Sequence, residues 1–303
     1  MIDFHRMTIE DKARYDACLM EMPPRGCEYS FANLFLWGRQ SIAYLHGCVA
    51  YFSHFYGKSV YPYPIGQGDT RAVLQAIIDD SRERGIPCRI TGMNEQELAQ
   101  LESWFPGKFQ MCCDRDSYDY IYDIDDLADL RGRKYQKKRN HVNRFRTEHP
   151  DCRVLPLDET TREAAQSMIE SWFATRHDLD PKGDYLLESI AISKAFRNLR
   201  DLDMEGIVLM EGSRVLAVTV GSRMGADTFD IHFEKAREDV DGAYAAVNCE
   251  FARYLRMKYP EVRYLNREDD LGLEGLRKAK LSYLPVRLVE KCWAVLKEDI
   301  YED

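Results

Sequence analysis

The chain contains 303 residues, of which 45% are hydrophobic and 31% charged, and it carries a net charge of −9 at pH 7. These values are typical of a folded protein and exclude extensive disorder, while the negative charge excludes a protein that coats nucleic acid with its whole surface. The length exceeds what one hydrophobic core usually supports and predicts two domains of roughly 150 residues each.

No stretch of the sequence has the pattern of a membrane span or an export signal. The longest run without Asp, Glu, Lys or Arg, residues 40–57, is interrupted by histidine, glycine and serine, whereas a membrane helix needs about 20 apolar residues. The first residues lack a basic segment followed by an apolar one. The nine cysteines form no CxxC pair, so we expect a cytoplasmic protein with reduced thiols and without a metal site.

Hydrophobic periodicity predicts helices and strands in both halves of the chain. In residues 1–116 we expect helices over 9–22, 31–38, 70–84 and 95–104, and strands over 42–45, 48–55, 88–91 and 109–112. In residues 117–303 we expect strands over 118–124, 206–210, 214–222, 228–234, 262–265 and 286–296, and helices over 131–146, 161–176, 184–199, 242–258 and 273–281. The similar order predicts two similar, closely packed α/β domains, 1–116 and 117–303, each with a mixed sheet covered by helices.

The most informative predicted strand is 228–234. Its apolar residues alternate with polar ones, so the polar side chains should share one face; they are Thr228, Asp230, His232 and Glu234. At the protein surface such a face is simply solvated, but on an interior strand it lines a cleft or finds partners. In a cleft, His232 or Glu234 would be a candidate general base.

A glycine-containing turn follows this strand. Residues 237–243 resemble the acyl-donor loop of GNAT acetyltransferases, Arg/Gln-x-x-Gly-x-Gly/Ala, with Val240 in place of the first glycine. A glycine turn at a helix N-terminus presents amide groups to a phosphate or carbonyl oxygen. The resemblance implies a cofactor-binding set consisting of Arg237, Gly242, Ala243 and Asn248.

A third group of polar residues follows the strand 262–265. Ligand sites in open α/β sheets gather where strands end, so Glu268 and Asp269 are candidate catalytic residues. The candidate substrate- or phosphate-binding residues are Asn266, Arg267, Arg277, Lys278 and Lys280. The alternative is an ordinary helix, with acids favoured at its start and basic residues at its end.

Residues 131–146 contain eight lysines and arginines and no acid. Tyr135, Val142 and Phe145 have helical spacing and should face the core. The segment is either a solvated face or a contact for a polyanion such as tRNA or an anionic headgroup, made by Lys134, Lys137, Lys138 and Arg144.

Two of these segments carry a family resemblance. Residues 133–141, Arg-Lys-Tyr-Gln-Lys-Lys-Arg-Asn-His, and residues 266–272, Asn-Arg-Glu-Asp-Asp-Leu-Gly, with 275–280, resemble a bacterial family similar to the C-terminal catalytic domain of phosphatidylglycerol lysyltransferase. The resemblance implies a tandem GNAT-like fold, related to the Fem-type transferases that take an amino acid from aminoacyl-tRNA.

Three functions are consistent with the sequence. The first is an acyl- or aminoacyltransferase that moves an amino acid from aminoacyl-tRNA to an amine or hydroxyl of a small molecule, peptide or lipid headgroup. The second is an N-acetyltransferase that uses acetyl-coenzyme A. The third is a non-catalytic module that binds RNA or an anionic surface.

Overall fold

The computed structural model describes residues 1–22, 25–38, 40–55, 57–175 and 184–299. The chain divides into two compact units. Unit 1 consists of Met1–Asp119, Asp269–Arg277 and the segment from Leu288 onwards, and unit 2 of Tyr120–Glu268 and Lys278–Arg287.

Both units combine helices with a mixed sheet. The strands are β1 (His5–Arg6), β2 (Gln40–Leu45), β3 (Cys48–Phe55), β4 (Lys58–Pro62), β5 (Ile65–Gly66), β6 (Arg89–Met93), β7 (Phe109–Cys113), β8 (Asp119–Asp123), β9 (Arg153–Pro156), β10 (Met204–Glu211), β11 (Arg214–Arg223), β12 (Thr228–Ala236), β13 (Tyr264–Asn266), β14 (Arg287–Val289) and β15 (Cys292–Leu296). The helices are α1 (Lys12–Met20), α2 (Phe31–Trp37), α3 (Thr70–Arg84), α4 (Glu95–Trp104), α5 (Ile124–Asp129), α6 (Gln136–Glu148), α7 (Arg162–Ala174), α8 (Asp184–Arg197), α9 (Ala243–Lys258) and α10 (Glu274–Leu281). The predicted fold class, mixed α/β with two sheets, is confirmed.

The first sheet has the strand order β1-β2-β3-β4-β6-β15-β7, with β5 paired to β3, and the second has the order β14-β8-β13-β12-β11-β10-β9. Most neighbouring strands are antiparallel, but β4 pairs with β6 and β12 with β13 in parallel. Because β12 lies between β11 and β13, it is an interior strand, as the interpretation of its polar face required.

Local sequence signals explain why the clearest helices match their predicted ranges. The Asp69 side chain accepts a hydrogen bond from the Ala72 amide at the start of α3, and Gly85 ends that helix with a φ of 65°, a conformation that favours glycine. In α4, Asn94 and Glu97 form a reciprocal capping box. These caps are local in sequence, so they mark both ends of α3 and the start of α4.

In unit 2, helix α6 packs against α9. Tyr135, just before α6, and Val142 form a buried cluster with Ala245 and Cys249 of α9, and Phe145 is also buried. The predicted inward face of the basic segment is therefore confirmed.

The C-terminal strand was predicted as one element and forms two. β14 pairs in the second sheet, whereas β15 lies between β6 and β7 in the first. The compact units thus differ from the predicted ranges 1–116 and 117–303, because the end of the chain returns to unit 1.

Two cysteines are paired. Cys113 of β7 and Cys292 of β15 lie directly opposite each other and form a disulfide. The prediction that all nine cysteines are reduced is wrong for this pair, since 179 residues separate the two in sequence and only the return of β15 brings them together. Within the described ranges, no helix is long and apolar enough to cross a membrane.

Candidate functional site

The candidate site of unit 2 is built on β12. A register shift in its pairing with β11 leaves His232 as an extra residue between Ile231, opposite Gly221, and Phe233, opposite Val220. Such a bulge interrupts the alternation of side chains. Phe229 and Glu234 consequently both contact α9, through Phe251 and Asn248, so the prediction that all polar residues of the strand share one face is wrong for Glu234.

Glu234 lies at the middle of a polar group. Its Oε1 accepts a hydrogen bond from Arg267 Nη2 at 2.8 Å, and its Oε2 accepts one from Asn248 Nδ2 at 3.3 Å. Because an ionised carboxylate can only accept hydrogen bonds, Asn248 turns its amide nitrogen toward Glu234. Its carbonyl oxygen, Oδ1, therefore faces away from Glu234. Within the described part of the chain, that buried Oδ1 and Arg267 Nη1 have no hydrogen-bond partner.

Lys138 of α6 belongs to the same group. Its Nζ lies 3.8 Å from the centre of the Tyr283 ring, and the Arg267 guanidinium lies 4.9 Å from that centre. Burial and the nearby positive charge of Arg267 lower the pKa of Lys138 to about 8. We call Lys138, Glu234, Asn248 and Arg267 the Glu234 centre; the sequence placed Lys138 instead among the surface phosphate contacts.

His232 lies in a separate group with Asp230 and Glu268, called here the His232 cluster. Its Nε2 is 2.8 Å from Ser222 Oγ, and its Nδ1 is 3.4 Å from Asp230 Oδ2 and 3.6 Å from Glu268 Oε1. The imidazole is only 2% exposed. Because both ring nitrogens face protein groups, His232 is poorly placed to take a proton from an external acceptor.

The predicted acyl-donor loop, residues 237–243, is covered by helix α6. Gly242 precedes α9 with a φ of 79°, and a Cβ at this position would lie 2.5 Å from the carbonyl oxygen of His141 in α6. Asp241 pairs with Arg144 at 2.5 Å, and Asp239 with Arg237 at 3.0 Å. The start of α9 is therefore covered by α6, and Arg237 is engaged by Asp239, so neither is open to a pyrophosphate.

The predicted phosphate residues after β13 separate in the structure. Arg277 donates to both oxygens of buried Asp270, at 2.8 and 2.9 Å, and contacts Asp116. Arg277 therefore neutralises Asp270 and Asp116 within unit 1. Its guanidinium is already engaged by these acids and is not available for the predicted phosphate contact.

The neighbouring predicted residues have individual environments. Lys280 Nζ donates to the Arg267 carbonyl at 2.5 Å, and the Asn266 side chain accepts from the Glu268 amide at 2.7 Å. Lys278 is exposed. Asp269 belongs to unit 1, where it lies near Lys291.

Most basic residues of segment 131–146 that lie at the surface pair with acidic side chains from elsewhere in the chain or from the same helix. Lys134 pairs with Asp126 at 3.0 Å, and Arg144 with both Glu148 and Asp241. Arg131 and Arg146 also contact acids. In the part of the chain that the structure describes, Arg133 and Lys137 are the exposed cations of this segment for which we find no acid within 4 Å.

Three residues of the site were missed by the sequence analysis. Ser222 contacts His232, Tyr283 lies against Lys138 and Arg267, and Thr219 lies opposite Glu234 in the neighbouring strand. Asp230 was recognised as polar but was not assigned a role, although its spacing of two residues from His232 was a usable signal.

Residues 20–295 match the family described as phosphatidylglycerol lysyltransferase, C-terminal. The chain belongs to this family. A conserved protein of unknown function from Bacteroides thetaiotaomicron is 35% identical, with a TM-score of 0.93 over 98% of this chain and 100% of that one. The family resemblance expected from the two sequence motifs is thereby confirmed.

More distant relatives share the fold. L-PGS from Bacillus licheniformis is 14% identical, with a TM-score of 0.68 over 96% of this chain and 94% of that one. FemX is 13% identical, with a TM-score of 0.50 over 99% of both chains. An uncharacterised protein of Mycoplasmoides gallisepticum is 23% identical over 64% of this chain, and the match spans 62% of that relative, less than two-thirds of its length. The family match and the two solved structures thus agree on the fold.

Proposed function

We propose that unit 2 transfers an aminoacyl group from aminoacyl-tRNA to an amine or hydroxyl acceptor at the Glu234 centre. The observation that carries the proposal is the pair of buried, unpartnered atoms in this centre, Arg267 Nη1 and Asn248 Oδ1. Each such atom costs about 1–3 kcal/mol if it stays unsatisfied. An aminoacyl ester offers a partner to both, because its carbonyl oxygen accepts a hydrogen bond and its ammonium group donates one.

The Glu234 centre also supplies the groups that the transfer requires. The acceptor nitrogen or oxygen attacks the ester carbonyl, a C–N or C–O bond forms, and the ester bond to the terminal ribose of tRNA breaks. Lys138 in its neutral form takes the acceptor proton and passes it to the departing ribose oxygen. Arg267 stabilises the negative charge that develops on the carbonyl oxygen.

Lys138 suits the role of base better than Glu234 or His232. Its pKa of about 8 leaves a useful neutral fraction near neutral pH. Glu234 is engaged by Arg267 and Asn248 and acts as a positioning residue, and His232 is enclosed in its own cluster.

The family supports the transfer of an aminoacyl group, since its name describes a lysyltransferase that acts on phosphatidylglycerol. Arg133 and Lys137 would contact tRNA phosphates from the exposed side of the basic segment. The acetyl-coenzyme A alternative is disfavoured by the covered start of α9 and by the engagement of Arg237 with Asp239.

The test is to incubate the protein with a mixture of radiolabelled aminoacyl-tRNAs, with and without phosphatidylglycerol vesicles, and to follow release and transfer of the label. Lys138→Met should lower turnover by about 10²–10⁴-fold, whereas the neighbouring Lys137→Met should affect tRNA retention rather than turnover. Equal turnover in wild type and Lys138→Met would refute the assignment. Retention of tRNA without release or transfer would favour the non-catalytic binding module instead.

A further inference from the structure

The His232 cluster has the composition of a metal site. Asp230 and His232 come from β12 and Glu268 from the loop after β13, and one ligand atom from each lies within 4.8 Å of the others. Two carboxylates and an imidazole form a nitrogen–oxygen ligand set that divalent first-row transition metals bind well.

The distances in the cluster fit a bound ion better than direct hydrogen bonds. His232 Nδ1 is 3.4 Å from Asp230 Oδ2 and 3.6 Å from Glu268 Oε1, whereas an N–H···O hydrogen bond spans about 2.7–3.2 Å. In a tetrahedral zinc site with bonds of about 2.0–2.1 Å, neighbouring ligand atoms lie about 3.4 Å apart. The two carboxylates thus lie at about this spacing from His232 Nδ1, and all three ligand atoms lie within 4.8 Å of one another.

The surrounding residues fix each ligand in the way that metal sites require. Ser222 Oγ lies 2.8 Å from His232 Nε2, and metal-binding histidines typically have their second nitrogen hydrogen-bonded. The bulge in β12 falls at His232 itself, and bulges often re-aim a side chain beside a functional site.

Glu268 is held by its backbone. It has a φ of 57°, a left-handed conformation rare for a residue with a side chain. Its amide donates to Asn266 Oδ1 at 2.7 Å, and its carbonyl accepts from the Tyr120 amide at 3.2 Å. The carboxylate is 28% exposed, so an ion can reach the cluster from solvent.

A second group of potential ligands in unit 1 already contains a cationic side chain. In unit 1, the Lys291 ammonium lies 2.6 Å from Asp119, 2.8 Å from Glu28 and 3.5 Å from Cys27 Sγ. A lysine therefore occupies the position of a cation among those three ligands. In the His232 cluster the nitrogen-bearing group beside the two carboxylates is an imidazole, which can itself bind a metal.

We propose that Asp230, His232 and Glu268 bind one divalent transition-metal ion of the zinc class, through Nδ1 and two carboxylate oxygens. Three protein ligands leave coordination positions for water or a small ligand. The site goes beyond the proposed transfer reaction, because its ligands are separate from Lys138 and Arg267.

The experiment measures metal binding directly. The full chain is stripped with EDTA, dialysed against zinc, manganese or magnesium chloride at low micromolar free ion, and analysed by elemental mass spectrometry; cobalt(II) absorption then reports the coordination. We expect one zinc per chain above any thiol-bound background, and tighter binding of zinc than of magnesium.

Variants locate the ion. Glu268→Gln and His232→Gln should each weaken zinc binding by at least about 100-fold, and Ser222→Ala by about 10–100-fold. Glu261→Gln, which changes an exposed acid paired with Arg223, is the matched control and should bind as wild type. Circular dichroism checks that each variant is folded. If the His232 variant in β12 unfolds, the Glu268 variant still tests the site, because Glu268 is the most exposed ligand and lies in a loop. No zinc at this stoichiometry, preference for magnesium, or equal zinc binding by wild type and Glu268→Gln would overturn the site.

Discussion

Replacing Gly242 with alanine tests whether α6 covers the start of α9. Alanine would have to adopt a φ of 79°, and a left-handed residue with a Cβ costs about 1–2 kcal/mol. The new Cβ would also lie 2.5 Å from the His141 carbonyl oxygen and 3.2 Å from Phe145 Cβ, and such overpacking costs about 1–3 kcal/mol more. We therefore expect Gly242→Ala to lower the free energy of unfolding by about 2–5 kcal/mol.

The matched control is Gly212→Ala in the turn between β10 and β11. Gly212 has a φ of 59°, and nothing lies within 4 Å of a Cβ built there, so only the backbone cost of about 1–2 kcal/mol applies. Both variants are compared by urea unfolding followed by circular dichroism. Equal losses in the two variants would refute the close approach of α6 and reopen the start of α9 as a phosphate site.

Three further outcomes are expected. If Lys138 is the base, turnover should rise with pH through about 8, because only the neutral amine accepts a proton, and a pH–rate profile of Lys138→Met should lack this rise. Arg25→Met should lower the free energy of unfolding by about 3–5 kcal/mol in a urea titration, because Arg25 and its partner Glu97 are buried, with side chains 3% and 11% exposed. In the same titration the control Arg82→Met, which changes a side chain that is 49% exposed, should lower it by about 1 kcal/mol or less. Calorimetry with acetyl-coenzyme A should give no binding heat at millimolar ligand, and micromolar binding would instead restore the acetyltransferase interpretation.

The sequence by itself determined the features that depend on neighbours along the chain. Periodicity located α3 and α4 to the residue, and helical spacing correctly buried Tyr135, Val142 and Phe145. The motifs around residues 133–141 and 266–280 identified the family, and the order of elements indicated a mixed α/β chain with two sheets. Each of these signals depends on residues close together in sequence, so it can be recognised without knowledge of the fold.

The tertiary structure decided which charges meet. From sequence, Lys138 is one of eight similar cations, and only the packing of α6 over Tyr283 places it beside Arg267 and Glu234. Similarly, Arg277 was indistinguishable from a phosphate ligand until the fold placed the distant Asp116 against it. A side chain's sequence neighbours do not reveal its counterion, because ion pairs form between distant segments.

Strand pairing was the other feature that sequence could not supply. The return of β15 to the first sheet creates the Cys113–Cys292 disulfide, and the register shift in β12 separates Glu234 from His232. A strand's alternation indicates which residues can be buried, but its partner and register depend on hydrogen bonds between segments far apart in the chain. For that reason one predicted polar face became two sites in the folded protein.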